Sequence, residues 1–583
     1  MFAALRCLSN AARALGTALA VVTGMKTPGL SFLTFGLTLG LAAVAGCGVS
    51  QGDYSNDKVQ PTLAVATPER GTMSNSTALT VTGTATDDDS GVAKVTVNDA
   101  AATVNADGSF TATVQVAEGV QLLRTVVTDR AGNISTDTRA VMAGTLVKAT
   151  DPLSNAVIAK IDASAVTALG QMVSKQIAAF DLTAAIGTDA PLAESGGSCL
   201  GYKATLQKID KGAVTIALVP GAGKLATKVT VANLDVKVKV NFKAACIGGS
   251  STLRIRATAT KLSGDLALSA TGGQLAAAVN ALDITFDNFD VDASGVPGAV
   301  VNLFQNKVND AVTNAVRDAV RKSVPDMVET ALADYSGRAF EKTVLGEKLK
   351  IAVTTDSLKI DAAGIFLSLG GKVTAVNGTG AEYVSSPMPA SAALMTSTGN
   401  IGLGVADDFL NQLFAGVWAT GSLDLDLPFG TQIPAALFFG ETADHASIKM
   451  LLPPSASTDA SGALSLTVGD ALLTVLDAQG GELASFAISL TLPVSAQADT
   501  MGGVSLMVGK PVVAAQVLSQ SADLPRPVTE ELIVGLAELA ATQVSTATNT
   551  TLQVIPVPMQ THIKNIGIKA SAGYLMVGAD LVP

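Results

Sequence analysis

An apolar side chain recurs at every fourth position between residues 300 and 320. The positions are Val300, Phe304, Val308, Val312, Val316 and Val320. In an α-helix with 3.6 residues per turn, each four-residue step over-rotates by about 40°, so the stripe winds by about 200° around the helix. Such a stripe fits poorly on a flat surface. It predicts a strongly twisted sheet that curls around the helix, or a trough closed by another apolar partner.

Residues 150–583 repeat one plan twice, with a helix, several long strands and a second helix. The predicted helices span 164–180, 297–334, 407–418 and 525–547. The segment 234–242 alternates apolar and polar residues, which predicts a strand with one buried and one solvated face. This order of elements predicts an α+β fold with mostly antiparallel sheet. An acidic excess beyond residue 343 separates two domains, 150–343 and 344–583.

Residues 61–146 have a different pattern, with short alternating strands between turn residues. Regular short strands predict a β-sandwich. The phrases Asp107-Gly-Ser-Phe-Thr-Ala-Thr-Val114 and Val127-Thr-Asp-Arg-Ala-Gly-Asn133 resemble bacterial immunoglobulin-like domains, and we expect this domain to act as a spacer.

The acidic run Asp87–Asp89 could supply calcium ligands. Its alternative role is a solvated turn whose carboxylates cap backbone N–H groups, and we predict no metal site.

The amino terminus predicts a membrane anchor rather than part of the fold. An apolar run ends in Val44-Ala45-Gly46-Cys47, which resembles the signal and lipobox of a bacterial lipoprotein. Residues 1–46 are then a signal peptide, with Met25 as the expected start of translation, and 47–60 form a tether. The resemblance implies lipid attachment at Cys47 and an extracytoplasmic location, at the outer membrane of a Gram-negative bacterium. The alternative is an uncleaved anchor.

The two remaining cysteines of the mature chain are Cys199 and Cys246, since Cys7 leaves with the signal. In an oxidising compartment an isolated pair is expected to form a disulfide. Two free buried thiols are the alternative.

Four stretches resemble the bactericidal/permeability-increasing protein (BPI) and lipid-transfer family. They begin at Asn155, Val296, Ile401 and Ile563. The resemblance covers 150–583, and the spacing of the two cysteines is similar to that family's disulfide. It implies two elongated barrels of twisted antiparallel sheet and helices, joined end to end, each with an apolar pocket for acyl lipid. The residues expected to bind lipid are Val300, Leu303, Phe304 and Val308 in the first pocket and Phe409, Leu410, Leu413 and Phe414 in the second. Plain core packing is the alternative for each of them.

A basic segment, from Lys224 to Lys261, includes the predicted strand 234–242. Lys237 and Lys239 share one strand face, and Arg254 and Arg256 share another across a turn. Such a hairpin could contact anionic lipid headgroups. The alternative is the ordinary solvated side of two strands.

No motif in the sequence requires catalysis. The chain has two histidines, no zinc-ligand spacing, no Gly-x-Ser-x-Gly elbow and no P-loop. A net charge of −11 makes nucleic acid an unfavourable partner. We therefore predict a non-enzymatic, cofactor-free, membrane-anchored lipoprotein that binds, and could transfer, phospholipid or another acyl lipid. The alternative is a surface interaction or structural lipoprotein without a lipid ligand.

Overall fold

Antiparallel strands dominate the computed structural model of the chain. It describes residues 54, 56–178, 181–271, 274–301, 339–344, 347–375, 380–386, 399–429, 436–458, 463–498, 504–538, 553–555, 563–571 and 573–582, with isolated positions in 307–325. Residues 1–46, which are predicted to be a signal peptide, lie outside the described residues, as do Cys47, Leu303, Phe304 and Val308. Residues 56–583 form one compact unit.

The first nine strands are β1 Thr62–Thr67, β2 Thr72–Ser74, β3 Ala78–Thr86, β4 Val92–Val97, β5 Ala100–Ala101, β6 Thr103–Val104, β7 Ser109–Gln115, β8 Gly119–Asp129 and β9 Ile134–Ala143. They are followed by β10 Leu146–Lys148, β11 Leu153–Asp162, the helices α1 Ala163–Ala178 and α2 Leu182–Ile186, β12 Pro191–Ser195, β13 Gly201–Asp210, β14 Val214–Gly221, β15 Lys224–Ala244, β16 Ile247–Thr271, β17 Gln274–Asp287 and β18 Asp290–Asp292.

The second half contains β19 Ala339–Val344, β20 Glu347–Asp361, β21 Gly364–Ala375, β22 Glu382–Val384, β23 Ile401–Ala406, α3 Asp407–Trp418, β24 Leu425–Pro428, α4 Ala436–Phe439, β25 Ala443–Met450, β26 Ser455–Thr458, β27 Leu464–Asp477, β28 Glu482–Ala498, β29 Val504–Val508, β30 Val512–Gln520, β31 Gln553–Ile555, β32 Ile563–Ser571 and β33 Tyr574–Leu581. Residues 298–301 and 530–538 are also helical.

Strands β1–β9 form a sandwich of a four-stranded sheet, in the order β1-β3-β7-β6, and a five-stranded sheet, in the order β2-β9-β8-β4-β5. Their inward side chains form one core, in which Val81, Val95, Val97 and Val127 are almost fully buried. The alternation of apolar and polar residues along each strand explains this two-layer packing, because successive side chains point to opposite faces.

The sandwich is docked on the rest of the chain. Arg70, between β1 and β2, places its guanidinium 3.2 Å from the Asp470 carboxylate and donates to Gln516 Oε1 at 2.8 Å. Asp470 also accepts from the backbone N–H of Ala140 at 2.8 Å. This buried polar contact joins β9 to β27 and β30, and apolar side chains including Leu452 pack beside it.

The amino-terminal sheet, as we call β12–β18, runs in the order β12-β13-β15-β16-β17, with β14 paired to β15 and β18 to β16. Strand β16 has 25 residues, which corresponds to a length of about 80 Å. Within β15, residues such as Val236 and Val238 are fully buried while Lys239 is exposed. The predicted alternation over 234–242 is therefore confirmed, and strands this long make the chain more β-rich than the α+β prediction implied.

The shared sheet takes strands from both halves of the chain, in the order β19-β20-β21-β11-β23-β33-β32. The early strand β11 is paired on both sides by strands from the second half. Its pairing is interrupted at Asn155, which has a φ of 57°, a conformation that Asn tolerates better than most residues. The Tyr574 hydroxyl donates to the Asn155 carbonyl at 2.9 Å, and Asn155 N–H donates to Asp356 at 2.8 Å. These bonds fix the irregularity across the sheet.

The carboxy-terminal sheet, as we call β24–β31, is eight-stranded, with the main order β24-β25-β27-β28-β29-β31. Helix α3 begins and ends where the sequence predicts, at Asp407 and Trp418. It packs between this sheet and the shared sheet. Its amphipathic pattern alone did not indicate that both of its sides would be covered.

Two carboxylates begin α3, of which Asp408 is buried and Asp407 half-buried. Asp407 accepts from the N–H and hydroxyl of Thr458, both at 3.0 Å. Asp408 accepts from the Ser385 hydroxyl and the Ser386 N–H, both at 2.8 Å. Burial raises the pKa of Asp408 to about 6, because these hydrogen bonds offset only part of the desolvation of the charged form. Negative charge at a helix amino terminus is favoured by the helix dipole, so the pair orients α3 against two neighbouring segments.

We expect Arg70→Ala to lower the free energy of unfolding by roughly 3–5 kcal/mol, because it leaves Asp470 buried without its counter-charge. Urea denaturation of the full chain measures this. Lys510→Ala is the control, since Lys510 is 79% exposed in its pair with Glu538 and exposed pairs contribute about 0–1 kcal/mol. Equal effects of the two substitutions would contradict the docking role of Arg70.

The raised pKa of Asp408 predicts a pH dependence of stability. The folded state holds the proton on Asp408 more tightly than the unfolded state does. The protonated carboxyl therefore makes its full contribution to the free energy of unfolding below pH 4, and this contribution is lost as the pH rises to about 6. Asp408→Asn should therefore match the wild type near pH 4 and exceed it at pH 7 by up to about 3 kcal/mol. Denaturation curves at both pH values test this, with the exposed Asp523→Asn as control. A difference between wild type and Asp408→Asn that does not change with pH would refute it.

Candidate functional site

An apolar crevice lies where the amino-terminal sheet meets the shared sheet. We call it the junction crevice, and its lining is Ala159, Ile161, Leu268, Leu275, Leu358, Ile365 and Leu367. These residues come from β11, β16, β17, β20 and β21. No polar side chain is among them. A gap of this kind offers no hydrogen bond to a ligand and favours hydrocarbon.

The hairpin of β20 and β21 brings the two sheets together at this point. Ile360 and Ile365 flank its turn and are buried in the core of the amino-terminal sheet, beside Leu262 and Leu266. Leu358 and Leu367 lie further along the hairpin and face the crevice. The apolar inner surface of the long strands therefore continues from the core into the crevice.

Helix α1 closes another part of the same core against β14. A Cβ at Gly170 would lie 2.9 Å from the Ile216 carbonyl oxygen, so glycine permits the close approach of helix and strand. Ser174 accepts from the Ile216 N–H at 2.7 Å. Val166 and Val173 on the inner face of α1 pack in this core. The helix is held in register by backbone contact as well as apolar packing.

Val300, from the first predicted lipid-binding set, is fully buried among β13, β15 and β16. It does not line the junction crevice. The other members of that set, Leu303, Phe304 and Val308, lie outside the described residues. Val300 is held as core packing in this structure, and the role of the set in lipid binding stays a prediction.

The second predicted set divides between two sides of α3. Phe409 and Leu413 pack against the shared sheet, with Phe409 8% exposed. Leu410 and Phe414 instead pack in a small cluster with Ala456 and Leu464 of the carboxy-terminal sheet. This division follows from the 100° step of a helix, which separates adjacent residues while residues four apart share a face. The structure therefore does not bring all of them to one surface, and their lipid contact also stays a prediction.

Cys199 and Cys246 form a disulfide, which confirms the predicted pair. It lies beside the turn between β15 and β16. Leu200 and Ile247, next to the two cysteines, are 45% and 74% exposed. The end of the amino-terminal sheet thus carries apolar side chains in solvent on a covalently closed turn.

The basic residues of β15 and β16 are matched by carboxylates on neighbouring strands. Lys237 pairs with Asp210, Arg254 with Asp235, and Arg256 with Asp290 and Asp292. Hydrogen bonds from Lys208 and then Lys237 lower the pKa of Asp210, and the Asp235 carboxylate raises the pKa of Arg254. Reasoning along the sequence missed these partners because Asp210, Asp290 and Asp292 lie on other strands. Lys239 is exposed, and no ion pair to it occurs among the described residues.

Within Asp87–Asp89, Asp87 caps its own turn. Its Oδ1 accepts from the N–H groups of Ser90 and Gly91 at 2.7 and 2.6 Å. Asp88 and Asp89 are exposed. The capping role considered from the sequence is therefore present for Asp87.

Within the part of the chain that the structure describes, no helix combines the length and hydrophobicity needed to cross a bilayer.

The chain was compared with protein families, curated proteins and solved structures. The family model for glucodextranase, domain B, matches residues 61–145 and is consistent with an immunoglobulin-like domain there. No curated protein matches the chain. Among solved structures, the chain is similar to a crystal structure of lipopolysaccharide binding protein, with 15% identity and a TM-score of 0.42. That alignment covers 73% of this chain and 98% of the other.

Proposed function

We propose that the chain binds the acyl part of a lipid at the junction crevice, without catalysing a reaction. The crevice has a free volume of about 20 Å³, so the two sheets must separate there to admit an acyl chain. The observation that carries this proposal is the wholly apolar lining contributed by five strands of two different sheets. The resemblance of four sequence stretches to the BPI and lipid-transfer family supports the same class of ligand. A phospholipid or another acyl lipid is consistent with both the apolar lining and the family resemblance.

The driving force for such binding is hydrophobic. Each methylene group that leaves water contributes about 0.8 kcal/mol, and the crevice has no polar group that an acyl chain would leave unpaired. The surrounding core is built from Leu, Ile and Val side chains. A polar ligand would lose hydrogen bonds to water there without replacement.

The polar headgroup then lies outside the crevice. The predicted contacts Lys237, Lys239, Arg254 and Arg256 are on the outer face of the amino-terminal sheet, and three of them are already paired with carboxylates. Of this set, exposed Lys239 is best able to meet an anionic headgroup. The apolar, disulfide-closed turn at Cys246 is a second place where the protein could touch a membrane surface.

The proposed location is extracytoplasmic, with attachment through acyl chains on Cys47 after removal of residues 1–46. This rests on the sequence alone, through its resemblance to a lipoprotein signal. The anchor would hold the lipid-binding part of the chain within reach of a membrane, at the outer membrane of a Gram-negative bacterium.

An interaction protein without a lipid ligand is the second candidate. The observation in its favour is that Val300 and Phe409 are packed as core. In that case the outer surfaces of the sheets would carry the function, and delipidated protein would not bind acyl lipid.

Filling the crevice should weaken lipid binding. We expect Ala159→Phe to raise the dissociation constant for a fluorescent phospholipid about tenfold, a loss of about 1.4 kcal/mol, because the larger side chain occupies the gap. Titration of delipidated full chain measures this. Ala112→Phe is the matched control, since it overpacks a buried position in the sandwich core. If Ala159→Phe binds lipid as the wild type does and Phe414→Ala does not bind it, the lipid site lies at α3 instead. If the wild type binds no lipid, the proposal of lipid binding is refuted.

Replacing Cys47 should release the chain from the membrane. We expect Cys47→Ala to appear in the soluble extracytoplasmic fraction and to lack the acyl mass on its amino-terminal peptide, because two or three acyl chains provide stable anchoring. Cell fractionation and peptide mass spectrometry measure this, with Ser50→Ala, a small change just after the predicted cleavage site, as control. A wild-type peptide that begins at Cys47 without acyl groups would contradict the assignment.

A further inference from the structure

Three carboxylates meet at one end of the sandwich, where the tether enters. Asp57 belongs to the tether, Asp87 to the turn between β3 and β4, and Asp129 to the end of β8. One oxygen from each lies within 4.8 Å of the oxygens from the other two. The sequence prediction of no metal site considered only Asp87 and its immediate neighbours, because the other two carboxylates lie far from it in the chain.

The Asp57 carboxylate lacks a hydrogen bond that its burial requires. Asp57 is 9% exposed, and its Oδ1 accepts from the Val59 N–H at 2.9 Å. Its Oδ2 is buried without a hydrogen-bond partner among the described residues. A buried charged oxygen without a partner is costly. A cation bound between the three carboxylates would supply the missing interaction.

The other two carboxylates are rigidly presented by their turns. Asp129 is 2% exposed and accepts from the N–H groups of Gly132 and Asn133 at 2.6 and 2.8 Å. Asp87 is held by the Ser90 and Gly91 N–H groups and is only half-buried. Solvent therefore reaches the cluster from the Asp87 side.

We infer that Asp57, Asp87 and Asp129 bind one calcium ion, which fixes the tether to the sandwich. Calcium takes oxygen ligands at 2.3–2.6 Å and tolerates irregular geometry, so oxygens on opposite sides of it lie about 4.6–5.2 Å apart. Magnesium needs a smaller octahedral shell about 4.2 Å across. Three carboxylates whose oxygens lie within 4.8 Å of one another fit a single cation shell, with water or backbone carbonyls completing it. Because the three ligands come from irregular segments, they suit the flexible geometry of calcium better than the strict octahedron of magnesium.

The bound ion has a structural consequence for the tether. The Asn133 side chain already donates to the Asp57 carbonyl at 3.4 Å, and the Ser135 hydroxyl donates to the Pro61 carbonyl. A calcium ion would add a strong link at the start of this contact. The attachment of residues 56–61 to the sandwich would then depend on calcium.

The test is calorimetric titration of chelator-treated full chain with CaCl2 and, separately, MgCl2. We expect one calcium site per chain, weaker magnesium binding, and a calcium affinity about tenfold or more lower in Asp57→Asn, which keeps the shape of the side chain. Asp88→Asn, an exposed neighbour outside the cluster, is the matched control and should bind as the wild type does. Calcium should also slow proteolysis within residues 56–61 in wild type.

Absence of calcium binding to wild type would overturn the inference, whatever the variants do. Wild-type affinity in a folded Asp57→Asn would overturn the assignment of ligands, and equal affinity for magnesium would overturn the choice of ion. If Asp57→Asn does not fold, Asp87→Asn replaces it, since Asp87 is the half-buried ligand. Wild-type calcium affinity in Asp87→Asn would likewise overturn the assignment of ligands.

Discussion

The pairing of β11 with strands from the second half is the constraint on which the rest of the structure depends. Strand β11 hydrogen-bonds to β21 on one side and to β23 on the other. A strand near the start of residues 150–583 is therefore held between two strands that follow it by about two hundred residues or more. This pairing places α1 and the amino-terminal sheet against the β20–β21 hairpin. It also creates the junction between sheets at which the apolar crevice lies.

Polar contacts in the interior mainly connect segments that are distant in the chain and fix their relative positions. Asn155 and Tyr574 tie the irregular part of β11 to the last strand, Asp408 ties α3 to the segment after β22, and Arg70 ties the sandwich to β27 and β30. Apolar packing supplies most of the stability, but it is not directional. Buried hydrogen bonds and ion pairs, which must be satisfied, specify how the sheets are arranged.

Local periodicity made part of this fold predictable. The alternation along 234–242, the limits of α3 and the strands of the sandwich are all set by neighbouring residues, and each was predicted from them. The lining of the crevice was not, because Ala159, Leu268 and Leu358 come together only through sheet pairing. The carboxylates that neutralise Arg254 and Arg256 were missed for the same reason, since cross-strand neighbours cannot be read from a single segment. The docking of the sandwich depends on Asp470 and Gln516, several hundred residues beyond it.

The proposed lipid anchor, the docked sandwich and the apolar crevice are consistent with our proposal that the protein holds hydrocarbon close to a membrane. The most direct test is native mass spectrometry of the full chain purified in its folded state without added lipid. We expect a fraction of the protein to carry an additional non-covalent mass that organic extraction identifies as an acyl lipid. Folded protein that carries no such mass, and acquires none when phospholipid vesicles are added, would contradict lipid binding.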